Sequence, residues 1–325
     1  MRSFEDSNHL DSAIAEALDE PVAAADGRLM RTAAALAVLW LGTVPLAARQ
    51  IGVHYQPEQP YQGSFFRIRV TTSFHVADVR GRLFGEALHF ERLDSDWSAL
   101  AGIPVAAEGD VDFVLVTVDD DGQTTSHPVT VFVRRARYGA DTLTVASRFS
   151  ASLDSRTQAR VARERQRTRD ITPETHNMPR LWRNAFILPT SGPTTSGFGR
   201  ARVFNGEVTS RHLGVDLDGE VGDPVRAAND GLVVLVGNFF YSGNTVYLSH
   251  GAGLITSYFH LNEIAVQEGE QLRRGQILGW VGQTGRVTGP HLHWSARYGG
   301  FSVNPLSLLS DLGFTGDPDY SNGTD

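Results

Sequence analysis

The chain contains no cysteine and no lysine. The first absence excludes a disulfide framework and any thiolate-ligated zinc site, so a metal centre here has to be built from histidine and carboxylate. The second leaves all 29 basic residues as arginine against 37 acidic ones, with a formal charge of −8. We read the exclusive use of arginine as coding bias. The negative balance argues against nucleic acid as a bulk electrostatic partner. Long apolar runs are also scarce. The one present, Thr32 to Ala48, covers about 17 residues, near the lower limit for spanning a bilayer. It follows Arg28-Leu29-Met30-Arg31 and ends in Ala47-Ala48 before Arg49. Residues 30–49 therefore read as a signal peptide or a membrane anchor through 31–48, and either places the rest of the chain in the cell envelope, periplasmic or extracellular. Residues 1–29, acidic and alanine-rich, read as a disordered extension. Finally, there is no H-E-x-x-H helix, and with it goes the glutamate base of that class of zinc site.

At 325 residues the chain exceeds a typical single domain. From 50 to 149 the texture is that of short strands, with Phe66 to Val70, Val111 to Val118 and Val129 to Val133 having the composition and length of sheet. Asp119 to Gln123 reads as a turn. The spacing predicts a β-sandwich of immunoglobulin-like size, an accessory module without chemistry of its own. Residues 150–180 carry Arg156, Arg160, Arg163, Arg165, Arg167 and Arg169 among few large apolar side chains, and read as a charged linker, with a helix as the alternative, ended by Pro173 and Pro179. Trp182 and Phe186 are expected to begin the packing of a second domain over 181–310, followed by a tail over 311–325. Within that domain the apolar run at 232–236 predicts a strand covered on both faces, and the fold as a whole is mainly β.

The residues that carry chemistry lie between His212 and Trp294. His212-Leu213-Gly214-Val215-Asp216 places a histidine and an aspartate four apart, and His291-Leu292-His293 places two histidines two apart. Alternating strand side chains share a face at even spacing, so each pair is expected to project from one face of an extended strand. Imidazole and carboxylate suit zinc, and three protein ligands with an open position are the pattern of a catalytic site. Tyr258-Phe259-His260-Leu261 adds a further histidine. His250, after Tyr247-Leu248-Ser249, reads as structural.

These motifs resemble the lysostaphin-type M23 zinc endopeptidases, which cut peptide cross-links in bacterial cell walls. The resemblance runs over about residues 185–306, from Ser196-Gly197-Phe198-Gly199 through Gly222-Asp223-Pro224-Val225, Ala227-Ala228-Asn229-Asp230-Gly231 and Gly282-Gln283-Thr284-Gly285-Arg286 to Gly289-Pro290-His291-Leu292-His293. It implies an antiparallel barrel-like peptidase fold crossed by a groove, with Gly282 to Gly289 walling it. It implies zinc held by His212, Asp216 and His293, and His260 and His291 as the non-ligand pair that handles the proton and the developing oxyanion, with the general base unassigned between them. Peptidoglycan stem peptides and their cross-links are the implied partner. The alternative is a non-catalytic relative that binds wall or activates a separate amidase. Degenerate relatives are expected to lack motif residues, and this chain lacks none.

Overall fold

The computed structural model describes residues 50–93, 95–142, 153–204 and 207–309. The extension over 1–29, the signal or anchor over 30–49 and the tail over 311–325 lie outside the described residues. Among those described, no helix is long and apolar enough to cross a membrane.

The first unit is two four-stranded antiparallel sheets. One runs in the order Ile51–Gln56, Phe65–Thr72, Asp96–Gly102, Glu91–Leu93, and the other in the order Glu86–Ala87, Asp78–Leu83, Gly109–Val118, Thr124–Val133. Period-two patterning explains the layers. Phe66, Ile68 and Val70 of one sheet and Val79, Leu115, Val131 and Val133 of the other are buried in a shared core. The last strand begins five residues before the predicted Val129. Its Thr124 to Pro128 segment is polar, yet it pairs rung for rung with Leu115–Val118 and Val114. Asp119 closes the hairpin as expected, its Oδ1 accepting the N–H groups of Asp121 and Gln123.

Residues Ser155–Asn177, expected to be linker, form a helix capped by Asp154, whose Oδ1 accepts from Thr157 N at 2.9 Å. The helix continues through Pro173 to Asn177. It lies on the Gly231–Phe239 strand, where Ile171 packs with Leu235, Phe239, Tyr247 and Ile255. Only Val161, Ile171 and Thr175 are buried along it. Charged side chains supply the rest of the hold: Arg160 donates to the Asn238 carbonyl at 2.9 Å, and Arg167 to the Val236 carbonyl at 3.2 Å and to Glu268 at 3.0 Å. The helix is thus the cover for the second face of the 232–236 run.

The second unit centres on an antiparallel sheet in the order Thr194–Ser196, Val215–Asp218, His291–Tyr298, Leu254–Leu261, Gly243–Gly251, Gly231–Phe239, Gln271–Leu272, with Phe301–Val303 paired to His291–Tyr298. A three-stranded sheet of Pro224–Arg226, Ile277–Trp280 and Glu263–Ile264 packs beside it. Val215, Leu217, Leu248, Tyr258, Leu292 and Trp294 fill the core between them, and the expected Trp182 and Phe186 join it. Burying a side chain of this size stabilises by roughly 1.5–3 kcal/mol, which pins the register of the strands that carry the site.

The two units share a continuous seam. Phe65 of the first unit belongs to the core of the second. Its N–H donates to Ser307 Oγ at 3.0 Å, Tyr298 Oη donates to the Ala87 carbonyl at 2.7 Å, and Gly300 N donates to Glu86 at 2.8 Å. These contacts lie at the Tyr298 end of the His291–Tyr298 strand, away from its histidines. A second contact runs beside the site: Ala140–Thr142 pairs in parallel with Ala201–Phe204.

Candidate active site

Three strands bring the sequence motifs together. In the pairing of Val215–Asp218 with His291–Tyr298, Asp216 stands directly opposite His293 and Asp218 opposite His291. On the other side His293 faces Phe259. Leu292 and Trp294 point into the core, so His291 and His293 share the opposite face, as the period of two predicts.

The first motif works differently from the expectation. The strand begins only at Val215, and His212 precedes it in an irregular segment that bends at Gly214. His212 and Asp216 therefore do not project from one extended strand. The bend carries the His212 ring back over Asp216, with His212 Nε2 3.1 Å from Asp216 Oδ1. His212 is anchored on both sides through its backbone, its N–H donating to the Arg200 carbonyl and its carbonyl accepting from Gly199 N.

His212, Asp216 and His293 form a closed triangle. His212 Nε2 lies 3.0 Å from His293 Nδ1, and His293 Nδ1 lies 2.8 Å from Asp216 Oδ1. The His212 Nδ1–H donates to the Gly197 carbonyl at 2.9 Å, which fixes the tautomer and leaves Nε2 with a lone pair. Three electron-rich atoms thus converge with too few protons to separate them, in a site where His212 is buried and Asp216 is 19% exposed at its side chain. Burial pushes the Asp216 carboxyl up, but the hydrogen bonds and charges that His212 and His293 bring when protonated outweigh it and hold it well below the usual carboxylate range. A nitrogen–nitrogen–carboxylate set of this kind fits a divalent cation, and zinc in particular.

The remaining two histidines are arranged otherwise. His260 Nδ1 donates to the Thr284 carbonyl at 2.9 Å, and His291 Nδ1 donates to the Gly289 carbonyl at 3.0 Å. In the neutral tautomer that these bonds select, the lone pair of each ring is at Nε2. His291 Nε2 lies 3.7 Å from Asp216 Oδ1, and the His260 ring centroid is 5.0 Å from that of His291 and 6.0 Å from that of His293. His260 also adopts φ 63°, the left-handed region, at a register shift between its strand and Gly243–Gly251. Such a backbone costs on the order of 1–3 kcal/mol and persists where its surroundings hold it. Burial, then the adjacent His293 and His291, push the His260 pKa down to about 3, so the ring is neutral at physiological pH.

Several contributors escaped the sequence reading of roles. The carbonyls of Gly197, Thr284 and Gly289 set three tautomers, and no side-chain pattern announces a carbonyl. Phe259 stacks on His293 with centroids 5.2 Å apart and ring planes 2° apart. Gly214 packs so closely on His293 that a Cβ there would collide with the ring. The H-x-x-x-D motif contains that glycine, and its spacing alone gave it no task.

His250 is structural, as expected. It is buried, its Nδ1–H donates to the Asp230 carbonyl at 2.7 Å, and its Nε2 accepts from Thr256 Oγ1 at 2.8 Å. Burial lowers its pKa to about 4, against the partly opposing Asp230 carbonyl and charge. A depressed pKa means that the unfolded chain binds the proton first. Stability is therefore present above pH 6.5 and is lost as pH falls toward about 4, by roughly 3 kcal/mol for a shift of this size. Thermal melts of the metal-free protein between pH 7.5 and 4 should show this fall, and it should flatten in His250→Gln. An equal slope in the variant would assign the acid sensitivity to other groups.

Comparison with known proteins places this geometry. The family model "Peptidase family M23" matches residues 210–305. The peptidoglycan DD-endopeptidase ShyA of Vibrio cholerae is 44% identical over 95 residues, which cover 29% of this chain and 22% of that protein. The glycyl-glycine endopeptidase ALE-1 of Staphylococcus capitis is 39% identical over 109 residues, 32% of this chain and 30% of its own. The chain thus spans less than a third of the length of these curated relatives. A crystal structure of a Pseudomonas aeruginosa protein assigned to peptidase M23 has a TM-score of 0.58 at 26% identity, covering 78% of this chain and 95% of that one.

Proposed function

We propose that this chain, whose residues 210–305 match the model of peptidase family M23, is a zinc-dependent endopeptidase that hydrolyses peptide cross-links of bacterial peptidoglycan in the cell envelope. The observation that carries this reading is the division among the four motif histidines. His212 and His293 turn ring nitrogens toward Asp216 in a three-atom triangle, whereas His260 and His291 have Nδ1 tied to carbonyls and keep Nε2 free of that bond.

Zinc, held by His212, Asp216 and His293, would supply a Lewis acid that acidifies water and polarises a carbonyl. The chain's own residues supply the proton steps. As the water oxygen bonds to the scissile carbonyl carbon, His260 or His291 takes its proton at Nε2. The same pair, as imidazolium, stabilises the tetrahedral oxyanion. The proton then passes to the amide nitrogen as the C–N bond breaks and the amine leaves. No carboxylate base is needed, which suits a motif without H-E-x-x-H.

For the bond cut, the direct cross-link between D-alanine and a diamino acid is favoured over a glycine bridge, because the DD-endopeptidase relative is the more similar of the two described above. Incubation of the chain with isolated sacculi, with and without a zinc chelator, tests both points. Chelator-sensitive loss of cross-linked dimers, with fragment masses of direct cross-links, is the expected result. Absence of release with zinc bound would instead favour a wall-binding or amidase-activating protein.

A further inference from the structure

The helix Ser155–Asn177 takes no part in the chemistry proposed above, yet one of its charges is set against the turn that holds His260. The Glu164 side chain is only 15% exposed. Its Oε1 accepts from Arg160 Nε at 2.7 Å, and its Oε2 accepts the backbone N–H of Phe240 at 2.9 Å. A carboxylate acceptor holds a main-chain N–H more strongly than a neutral one does. Arg160 adds a second tie to the adjoining Asn238 carbonyl.

Phe240 opens the turn between the strands Gly231–Phe239 and Gly243–Gly251. Two residues on, the Ser242 carbonyl accepts the N–H of His260 at 2.9 Å. The Tyr241 carbonyl accepts from Arg286 N at 2.7 Å, which ties the turn to the loop whose Thr284 carbonyl orients the His260 ring. Asn244 N donates to Thr284 Oγ1 at 2.9 Å, and a side chain at Gly243 would collide with Thr284, so turn and loop are interlocked. Both the backbone and the ring of His260 thus rest on a turn that the helix holds by its N–H. His260 is also one of three described non-glycine residues with a left-handed φ, a conformation that depends on external support.

We infer that the helix is a positioning element for His260, acting through Glu164 and the Phe240–Gly243 turn. The correct placement of this histidine then depends on a segment outside residues 210–305, the part that matches the peptidase family. The catalytic consequence rests on the proposed role of His260.

The test uses the full chain with zinc content matched among variants. Glu164→Ala removes the acceptor for Phe240 N–H, Glu164→Gln restores an oxygen there, and Arg163→Ala alters an exposed position of the same helix. In Glu164→Ala, kcat is expected to fall about ten-fold or more while KM stays within about two-fold. Glu164→Gln should recover most of kcat, and Arg163→Ala should match the wild type. The ¹⁵N imidazole signals of His260, read without substrate, should move in Glu164→Ala and not in Arg163→Ala. Unmoved His260 signals, or a kcat loss no larger than that of Arg163→Ala, overturn the inference. Inactivity of the wild type would overturn the endopeptidase reading alone, because the imidazole signals report positioning without turnover.

Discussion

Replacing His291 by alanine is expected to leave the metal in place and lower turnover by about 10²–10⁴-fold, the range for loss of a general acid or base. Replacing His293 should instead abolish metal binding and, with it, all activity. The two residues are separated by Leu292 alone and share one face of one strand, so burial and strand propensity cannot distinguish them. Their hydrogen bonds do. His293 Nδ1 points at Asp216 Oδ1 from 2.8 Å and at His212 Nε2 from 3.0 Å, inside the triangle. His291 gives its Nδ1–H to the Gly289 carbonyl and approaches Asp216 through Nε2 at 3.7 Å, outside hydrogen-bond range. Zinc titration by calorimetry, paired with release of dimers from sacculi, reads the two roles separately. Equal loss of zinc in both variants would refute the division.

The second large effect is expected from the smallest change, Gly214→Ala. The added Cβ would collide with His293 Nε2 and would stand 2.8 Å from the Trp294 carbonyl oxygen. The carbonyl belongs to a paired central strand and is fixed, so the strain falls on the ring, which the stack on Phe259 otherwise holds in place. The ring of His293, the proposed ligand, must tilt. Displacement of a group that orients a ligand commonly costs 10–100-fold in metal affinity, and direct displacement of the ligand should reach or exceed the upper figure. The strands that bury Trp294 and Leu292 are untouched, so far-ultraviolet circular dichroism should be retained. A variant that binds zinc as tightly as the wild type would show that the His212–Asp216 bend has slack this geometry does not display.

Legibility in the sequence tracked the range of the forces involved. The H-x-H pair was readable because a strand repeats every two residues, whatever it packs against. The strand at 232–236 and the turn at 119–123 were readable from an apolar run and from Asp and Gly punctuation. The H-x-x-x-D pair was readable as a ligand pair but not as a geometry. Its spacing suits an extended strand, yet a bend at Gly214 and long-range anchors at Gly197 and Arg200 bring the two side chains together. The helix at 155–177 was readable only as the alternative to a charged linker, for a different reason. It lacks a broad apolar stripe and is held by arginine and glutamate side chains that reach backbone groups of a distant strand.

The sequence by itself determined the mainly β architecture, the absence of thiolate chemistry and, through the resemblance of its motifs, the five residues proposed to form a metal-dependent hydrolytic site, because composition and short-range periodicity suffice for the first two and the order of the motifs for the third. The tertiary structure alone decided which nitrogen of each histidine faces the centre, that His260 stands in a left-handed backbone, and that the two β units and the helix share continuous contacts. Except at His291, whose carbonyl partner Gly289 is two residues away, those outcomes depend on groups distant in the chain, and such contacts exist only once the strands have paired.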